Sequence, residues 1–329
     1  MKKIYIDGRW AGMGGIGTFY SEVNKILKFD DAEFKGIPHS PLDTVRSSLK
    51  LLRKKKSVYL FPGYIPPLFS RCPYVFTIHD LNHLDRPENS SLIKRLFYQF
   101  VIKRGCKKAS YIFTVSDFSR QRIIEWSGVE HDKVITVGNG VSKRFSASGE
   151  TMSTYDFPYF LCVGNRKLHK NEIRVIEAFS SATISKDIKL VLTGNADDAI
   201  LKKIKELNLS DRVIFSGYIS DADLPKLYRG AFGLIFASLY EGFGLPVIEA
   251  MASGVPVITS KTTSLGEVAG DAAILVDPEN VIDIGKAIEL LHNNSIIRDE
   301  MIHAGFIQAK KYNWENVAER IKTVIYKLQ

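Results

Sequence analysis

The chain has 329 residues, with 45 Lys and Arg against 36 Asp and Glu and a formal net charge of +9. At 45% hydrophobic and 25% charged it reads as an ordinary globular chain with enough length for two cores, which excludes disorder, collagen-like repeats and a disulfide scaffold. The charge is uneven: residues 1–150 carry +11 and residues 151–329 carry −2, so one basic surface in the N-terminal half is expected to face something anionic.

In chain order, short β-branched runs alternate with amphipathic stretches. Lys3–Asp7 reads as a strand and Gly17–Leu27 as a helix behind a glycine-rich turn. Val58–Phe61, Tyr74–His79, Tyr111–Val115 and Val134–Val137 read as further strands, with helices near 92–107 and 117–127. Residues 146–156 are small and polar without period, which marks a linker. The alternation then restarts. Strands are predicted at Tyr159–Val163, Lys189–Thr193, Val213–Ser216, Leu234–Ala237 and Val257–Thr259. Helices are predicted at Glu172–Ser181, Asp198–Leu207, Leu224–Tyr228 and Pro246–Ala252. Val281–Leu328 is helical by period, with a break near Tyr312–Asn313. Strands alternating with helices predict parallel sheets. The fold class is therefore α/β, with two Rossmann-like doubly wound domains, and ligands in such folds sit beyond the C-terminal strand ends. The expected division is 1–150, 151–312, and a final helix over 313–329 packing back on the first domain.

Several function classes fall away. No apolar run reaches the roughly 18–20 residues that span a bilayer, and MKKIYIDGRW lacks the apolar core of a signal peptide. Cys72, Cys106 and Cys162 are widely spaced, with no C-x-x-C for zinc, and such sparse thiols fit a reducing cytosol. There is no D-x-D with hydrophobic flanks, so no metal ligands are expected. No helix-turn-helix, RRM or zinc-finger pattern supports a nucleic-acid partner.

The most informative segment is Ser238–Gly254, SLYEGFGLPVIEAMASG. Gly242 and Gly244 permit close backbone approach. Pro246 suits the first turn of a helix. A glycine turn feeding a helix start binds phosphate through free N–H groups and the positive dipole end. Glu241 in the turn and Glu249 in the helix are unsuited to holding phosphate themselves, because like charges repel. They are suited to accepting hydrogen bonds from sugar hydroxyls. Read on pattern alone, the same residues also describe a solvated loop and a helix-surface carboxylate.

Glu241-x7-Glu249 in the setting EGFGLPVIEAMASGVPVI closely resembles the signature of the family-4 retaining glycosyltransferases, which have the GT-B fold of two such domains facing across a cleft. TIHDLNHLDRPE, TVSDFSRQRI, VGNGVSKRF, VGNRKLHKN, FSGYISDADLPKLY and SLGEVAGDAAILVDP also resemble family segments, in family order across both domains. Their style is nearest to bacterial mannosyl- and rhamnosyltransferases of surface polysaccharide assembly. The resemblance implies transfer of a sugar from a nucleotide-sugar donor to an acceptor hydroxyl, with retention and without a metal or other cofactor. It implies that Glu249 binds the ribose, that Glu241 holds the transferred sugar, and that Lys170 neutralises the diphosphate. It places Phe243, Gly244 and Leu245 against the sugar and diphosphate, and Tyr218 and Ile219 against the nucleobase. His79 matches an active-site histidine, and Gly15 and Gly17 fall in a glycine loop that approaches the diphosphate. The family arginine position holds Asn165, with Arg166 one residue later as its substitute candidate.

Two segments concentrate the basic charge. Thr44–Lys56 sets Val45, Leu49 and Leu52 at helical spacing beside Arg46, Lys50, Arg53 and Lys54. Ser91–Lys108 mixes Leu92, Leu96, Phe97, Phe100 and Val101 with Lys94, Arg95, Lys103 and Arg104. Basic amphipathic helices read as membrane-surface elements; alternatively their apolar faces pack on the domain's own sheet. The expected partners are a nucleotide-sugar donor, a glycan or lipid-linked acceptor and an anionic membrane surface. The expected place is the cytoplasm or the inner face of its membrane. Another enzyme of the same fold, such as a nucleotide-sugar epimerase, and a non-catalytic nucleotide- or polyanion-binding partner protein are the alternatives.

Overall fold

The computed structural model describes residues 2–52, 57–152 and 154–329. They divide into two units, one of Met1–Gly140 with Asn313–Gln329 and one of Val141–Tyr312.

The first unit runs β1 (Lys3–Ile6), α1 (Gly14–Leu27), β2 (Asp30–Asp31), α2 (Asp43–Leu52), β3 (Ser57–Phe61), β4 (Tyr74–Thr77), α3 (Asn82–Asp85), α4 (Leu92–Phe97), α5 (Lys103–Lys108), β5 (Tyr111–Thr114), α6 (Asp117–Ser127) and β6 (Val134–Thr136). A π turn, Tyr98–Ile102, makes α4 and α5 one continuous helical run. The sheet is parallel throughout, in the order β2-β1-β3-β4-β5-β6. β3 and β4 are buried along their whole length, as strands covered on both faces must be.

The second unit runs β7 (Tyr159–Cys162), α7 (Glu172–Ser181), β8 (Lys189–Leu192), α8 (Asp198–Glu206), β9 (Val213–Phe215), α9 (Leu224–Arg229), β10 (Gly233–Phe236), α10 (Leu245–Ala252), β11 (Val257–Ser260), α11 (Thr263–Ala269), β12 (Ile274–Val276), α12 (Val281–Asn293) and α13 (Ser295–Lys310). Its sheet is also parallel, in the order β12-β11-β10-β7-β8-β9. The chain winds outward from β7 to β9, returns to β10 beside β7, and winds the other way. The switch point lies between β7 and β10, which is where a doubly wound sheet binds its ligand.

The chain then returns to the first unit as α14 (Trp314–Tyr326), which packs on α1. Two element boundaries differ from the sequence reading. α1 begins at Gly14 rather than Gly17, with Gly14 itself at φ +56°, a backbone that glycine adopts at no steric cost. The stretch from Val281 breaks at Asn294 as well as near Asn313, and each asparagine caps the helix that follows it. Of the two facings left open by the sequence for α2, the apolar stripe faces out: Val45 and Leu49 are exposed, while Thr44, Ser47, Ser48 and Leu51 are buried. Arg53 and Lys54 of that segment lie outside the described residues.

Candidate active site

The loops after β7 and β10, on either side of the switch point, meet. Lys170 ends the short 3-10 turn after β7, and its Nζ lies 2.6 Å from Glu241 Oε1 in the turn after β10. The same ammonium lies 5.1 Å from the Phe236 ring centroid. Both side chains are largely shielded from solvent, which strengthens their attraction relative to a surface pair. Hydrogen bonds to main-chain carbonyls hold the loops in register. Leu239 N–H donates to His169 O at 2.7 Å, and Asn171 Nδ2 donates to Ala237 O and Pro278 O at 2.9 and 2.6 Å.

The turn leading into α10 is shaped by packing. Gly244 holds φ +102°, and a Cβ there would meet Leu265 Cδ2 at 2.4 Å. Ser264 Oγ donates to the carbonyls of Glu241 and Phe243 at 2.9 and 3.1 Å, and Phe243 lies edge-on to Tyr312. These contacts turn the carbonyls inward. The helix that starts at Leu245 carries Pro246 in its first turn and no side-chain cap. Pro246 has no N–H and Val247 N–H donates to Gly244 O at 3.0 Å, so what this helix start offers an anion is the positive end of its dipole.

Glu249 projects from α10 and accepts a 2.9 Å hydrogen bond from Tyr228 Oη. Burial pushes its carboxyl up to about 7, against the pull of the Tyr228 hydroxyl. Tyr218 follows β9 and is almost fully exposed, with Ile219 half-buried beside it. Gly217 N-terminal to them is bridged to Gly194 after β8 (Gly194 N–H to Gly217 O, 2.9 Å). Lys170, Glu241, the α10 start and Tyr218 thus all lie at C-terminal strand ends of the second sheet. Positive φ at Arg166, Asn171, Gly194, Gly217, Gly244 and Thr263 clusters at those same ends. Arg166 is committed elsewhere. Its guanidinium pairs with Glu172, donates to Thr193 O and Asn195 O, and lies over Phe215.

In the first unit, His79 follows β4. Its Nε2 lies 2.8 Å from Pro62 O, and the Phe19 ring packs edge-on at 5.2 Å. The carbonyl can only accept, so Nε2 carries the proton and Nδ1 is left as an acceptor. Burial holds this imidazole down to about 4, so it is neutral near pH 7. Gly15 and Gly17 lie in the first turn of α1, which has no side-chain cap. A Cβ on Gly15 would meet open space, whereas one on Gly17 would meet Trp10 O at 2.7 Å. Gly17 is thus explained by close packing on the turn before it, and Gly15 is open to a ligand.

A model of glycosyl transferases group 1 matches residues 150–308, and a model of glycosyltransferase family 4 matches residues 35–145. The O-antigen chain mannosyltransferase B of Escherichia coli is 30% identical over 285 residues, covering 82% of this chain and 74% of that protein. The chain belongs to the group 1 glycosyltransferases. The O-antigen chain mannosyltransferase RfbU of Salmonella typhimurium is 31% identical over 206 residues, 62% of this glycosyltransferase and 56% of the relative. Among solved structures, Anabaena HepE in complex with UDP and glucose superposes with a TM-score of 0.79 at 17% identity, covering 99% of this chain and 100% of that one. The two parallel six-stranded sheets are those of the GT-B fold.

Two parts of the glycosyltransferase's site escaped the sequence reading. Ser264 and Tyr228 act through hydrogen bonds to residues 21 positions or more away in the chain, at Phe243 and Glu249. The only sequence signal for either is its place in a family-like segment. Among the described residues no group of three or more His, Cys, Asp or Glu is placed to hold a metal, and no helix is long and apolar enough to cross a membrane.

Proposed function

We propose that this glycosyltransferase moves mannose from a nucleoside-diphosphate donor to a hydroxyl of a growing surface glycan, with retention at the anomeric carbon. The mannosyl assignment is supported by the names of the relatives, O-antigen chain mannosyltransferases of Escherichia coli and Salmonella typhimurium. The observation that carries the chemistry is the Lys170–Glu241 pair at the switch point, beside the uncapped start of α10.

In this reading the bond from the anomeric carbon to the phosphate oxygen breaks, and its electron pair leaves with the diphosphate. Lys170 and the positive dipole end of α10 stabilise the negative charge that grows there, in the place a metal ion would otherwise take. Glu241 accepts hydrogen bonds from the sugar, Glu249 from the ribose, and Tyr218 with Ile219 meets the base. No carboxylate is assigned beneath the anomeric carbon as a nucleophile. The acceptor oxygen therefore bonds from the leaving-group face, and its proton passes to the departing phosphate. The first unit takes the acceptor, with His79 as a neutral acceptor of hydrogen bonds through Nδ1. Arg166 braces the loop that carries Lys170.

The same reading places the enzyme on an anionic membrane surface, where a lipid-linked acceptor would be found. Support comes from α4, on which Leu92, Ile93 and Leu96 are exposed beside Lys94 and Arg95, and from Phe100 in the following turn. Val45 and Leu49 on α2 are likewise exposed. The loop between β3 and β4 touches α2 and α5: Ser48 Oγ accepts from Phe69 N–H, and Gly105 abuts Pro66.

Thermal shift with GDP-, UDP- and dTDP-sugars tests the donor, since a ligand bound only by the native state raises Tm with its concentration. Stabilisation by one of these donors is expected. Lys170→Ala is expected to keep the fold and lower transfer by about 10²–10³-fold. Near-normal transfer in that variant refutes the assigned site.

A further inference from the structure

We propose that Tyr228 is a positioning residue for Glu249: its hydroxyl fixes one carboxylate oxygen so that the other faces the donor ribose. This rests on the reading that Glu249 binds the ribose.

The geometry is specific. Tyr228 sits on α9 and is fully buried, and its Oη donates to Glu249 Oε2 at 2.9 Å. With Oε2 committed, Oε1 is the oxygen left to accept from a ligand hydroxyl. The phenol ring is itself held. Phe145 packs edge-on against it at 5.6 Å and 81°. The preceding residue, Arg144, lies over the Phe145 ring and pairs with Asp221 at 3.3 Å in the loop before α9. Tyr159 Oη donates to Leu227 O at 2.6 Å, and Arg229 Nε donates to Glu150 O at 2.7 Å. The segment from Arg144 to Glu150 therefore straps α9 down on the helix that carries Glu249.

Tyr228 also acts on the charge of Glu249. Burial and Asp221 favour the protonated carboxyl, while Tyr228 and Arg144 favour the ionised one. An ionised carboxylate accepts at every lone pair and makes the stronger, charge-assisted bonds to ribose hydroxyls. The sign follows. Without the phenol hydroxyl the carboxyl protonates at higher pH, so nucleotide affinity is lost at higher pH as the solution is acidified.

Tyr228→Phe keeps the ring against Phe145 and removes only the hydroxyl. Calorimetric titration with GDP and UDP, from about pH 6 to about pH 9, follows binding across the ionisation of the carboxyl. The wild type is expected to weaken below about pH 7. The variant is expected to bind more weakly at every pH, because its carboxylate is no longer oriented, and to lose about a further tenfold on the acid side, where the loss of a hydrogen bond to the charged form leaves more of the carboxyl protonated. Its donor KM should rise more than its kcat falls. Carbon NMR of labelled glutamate should show the Glu249 midpoint moved up, independently of any ligand. Wild-type affinity in the variant at the alkaline end overturns the positioning role, and an unmoved midpoint overturns the effect on the charge of Glu249. Glu249→Gln separates the two layers: weak, pH-independent nucleotide binding is expected, and wild-type binding in that variant overturns the ribose assignment itself.

Discussion

Arg166 shows how one residue's place in a motif and its place in the structure can point to different work. Its position beside the family arginine site suggests phosphate contact. The structure instead closes its guanidinium on Glu172, Thr193 O and Asn195 O, with both charged side chains largely shielded from solvent. Glu172 opens α7, and burial raises its carboxyl while Arg166 pulls it back down. Removing one partner of a buried pair leaves the other charge uncompensated. Arg166→Ala is expected to destabilise the second unit by about 3 kcal/mol, read from the urea midpoint. Arg166→Ala combined with Glu172→Gln should recover part of that loss. A variant with wild-type stability and lost nucleotide binding would instead return Arg166 to the phosphates. Gly164 belongs to the same arrangement, because a Cβ there would meet the Glu172 carboxylate at 2.0 Å.

The elements divide by how they signal themselves in sequence. Buried strands such as Tyr159–Cys162 and Lys189–Leu192 are legible because a parallel strand covered on both faces is an apolar run. β2, two exposed aspartates, has no such run and is paired only because β1 presents its free edge to it. The switch-point motifs are legible because glycine, proline and paired carboxylates are required by local geometry. Tyr228 and Ser264 are not, since their roles depend on which loops the topology brings together. α2 and α4 are the instructive case. Periodicity finds their apolar stripes but cannot say which way they face, and burial turns Val45, Leu49, Leu92, Ile93, Leu96 and Phe100 outward. Apolar side chains set among lysines and arginines gain by inserting into an anionic lipid surface, where each nearby cation adds about 1 kcal/mol. The wild-type chain is expected to float with vesicles containing anionic lipid and to stay behind with zwitterionic ones. Leu92→Asp with Phe100→Asp should abolish flotation and leave the donor thermal shift unchanged. Equal flotation on both kinds of vesicle would refute an electrostatic membrane contact.

At the scale of the whole molecule, the chain leaves the first unit at Gly140 and comes back to it at Asn313. The first unit is not a continuous stretch; it closes only when Asn313–Gln329 returns to it. Gly140 lies where the chain leaves that unit, against the point of return: a Cβ there would meet Trp314 N at 2.5 Å. Asn313 caps α14 by accepting from Asn316 N–H at 2.8 Å. The helix then buries Trp314, Val317, Ala318, Ile321, Val324 and Ile325, and Phe19 of α1 meets Trp314 edge-on. Lys2 Nζ also donates to Leu328 O at 2.7 Å, tying the two chain ends to each other. Burying a large apolar side chain contributes about 1.5–3 kcal/mol, so exposing this face removes a large share of the favourable term whose small surplus over chain entropy keeps a domain folded. A chain ending at Tyr312 is therefore expected to lose the cooperative unfolding of the first unit while keeping that of Val141–Tyr312. Calorimetry should show one transition missing, and the surviving transition should still shift with the donor nucleotide, because the proposed donor residues Lys170, Glu241 and Glu249 all lie in the second unit. Retention of both transitions in the shortened chain would show that α14 is dispensable to the core it covers.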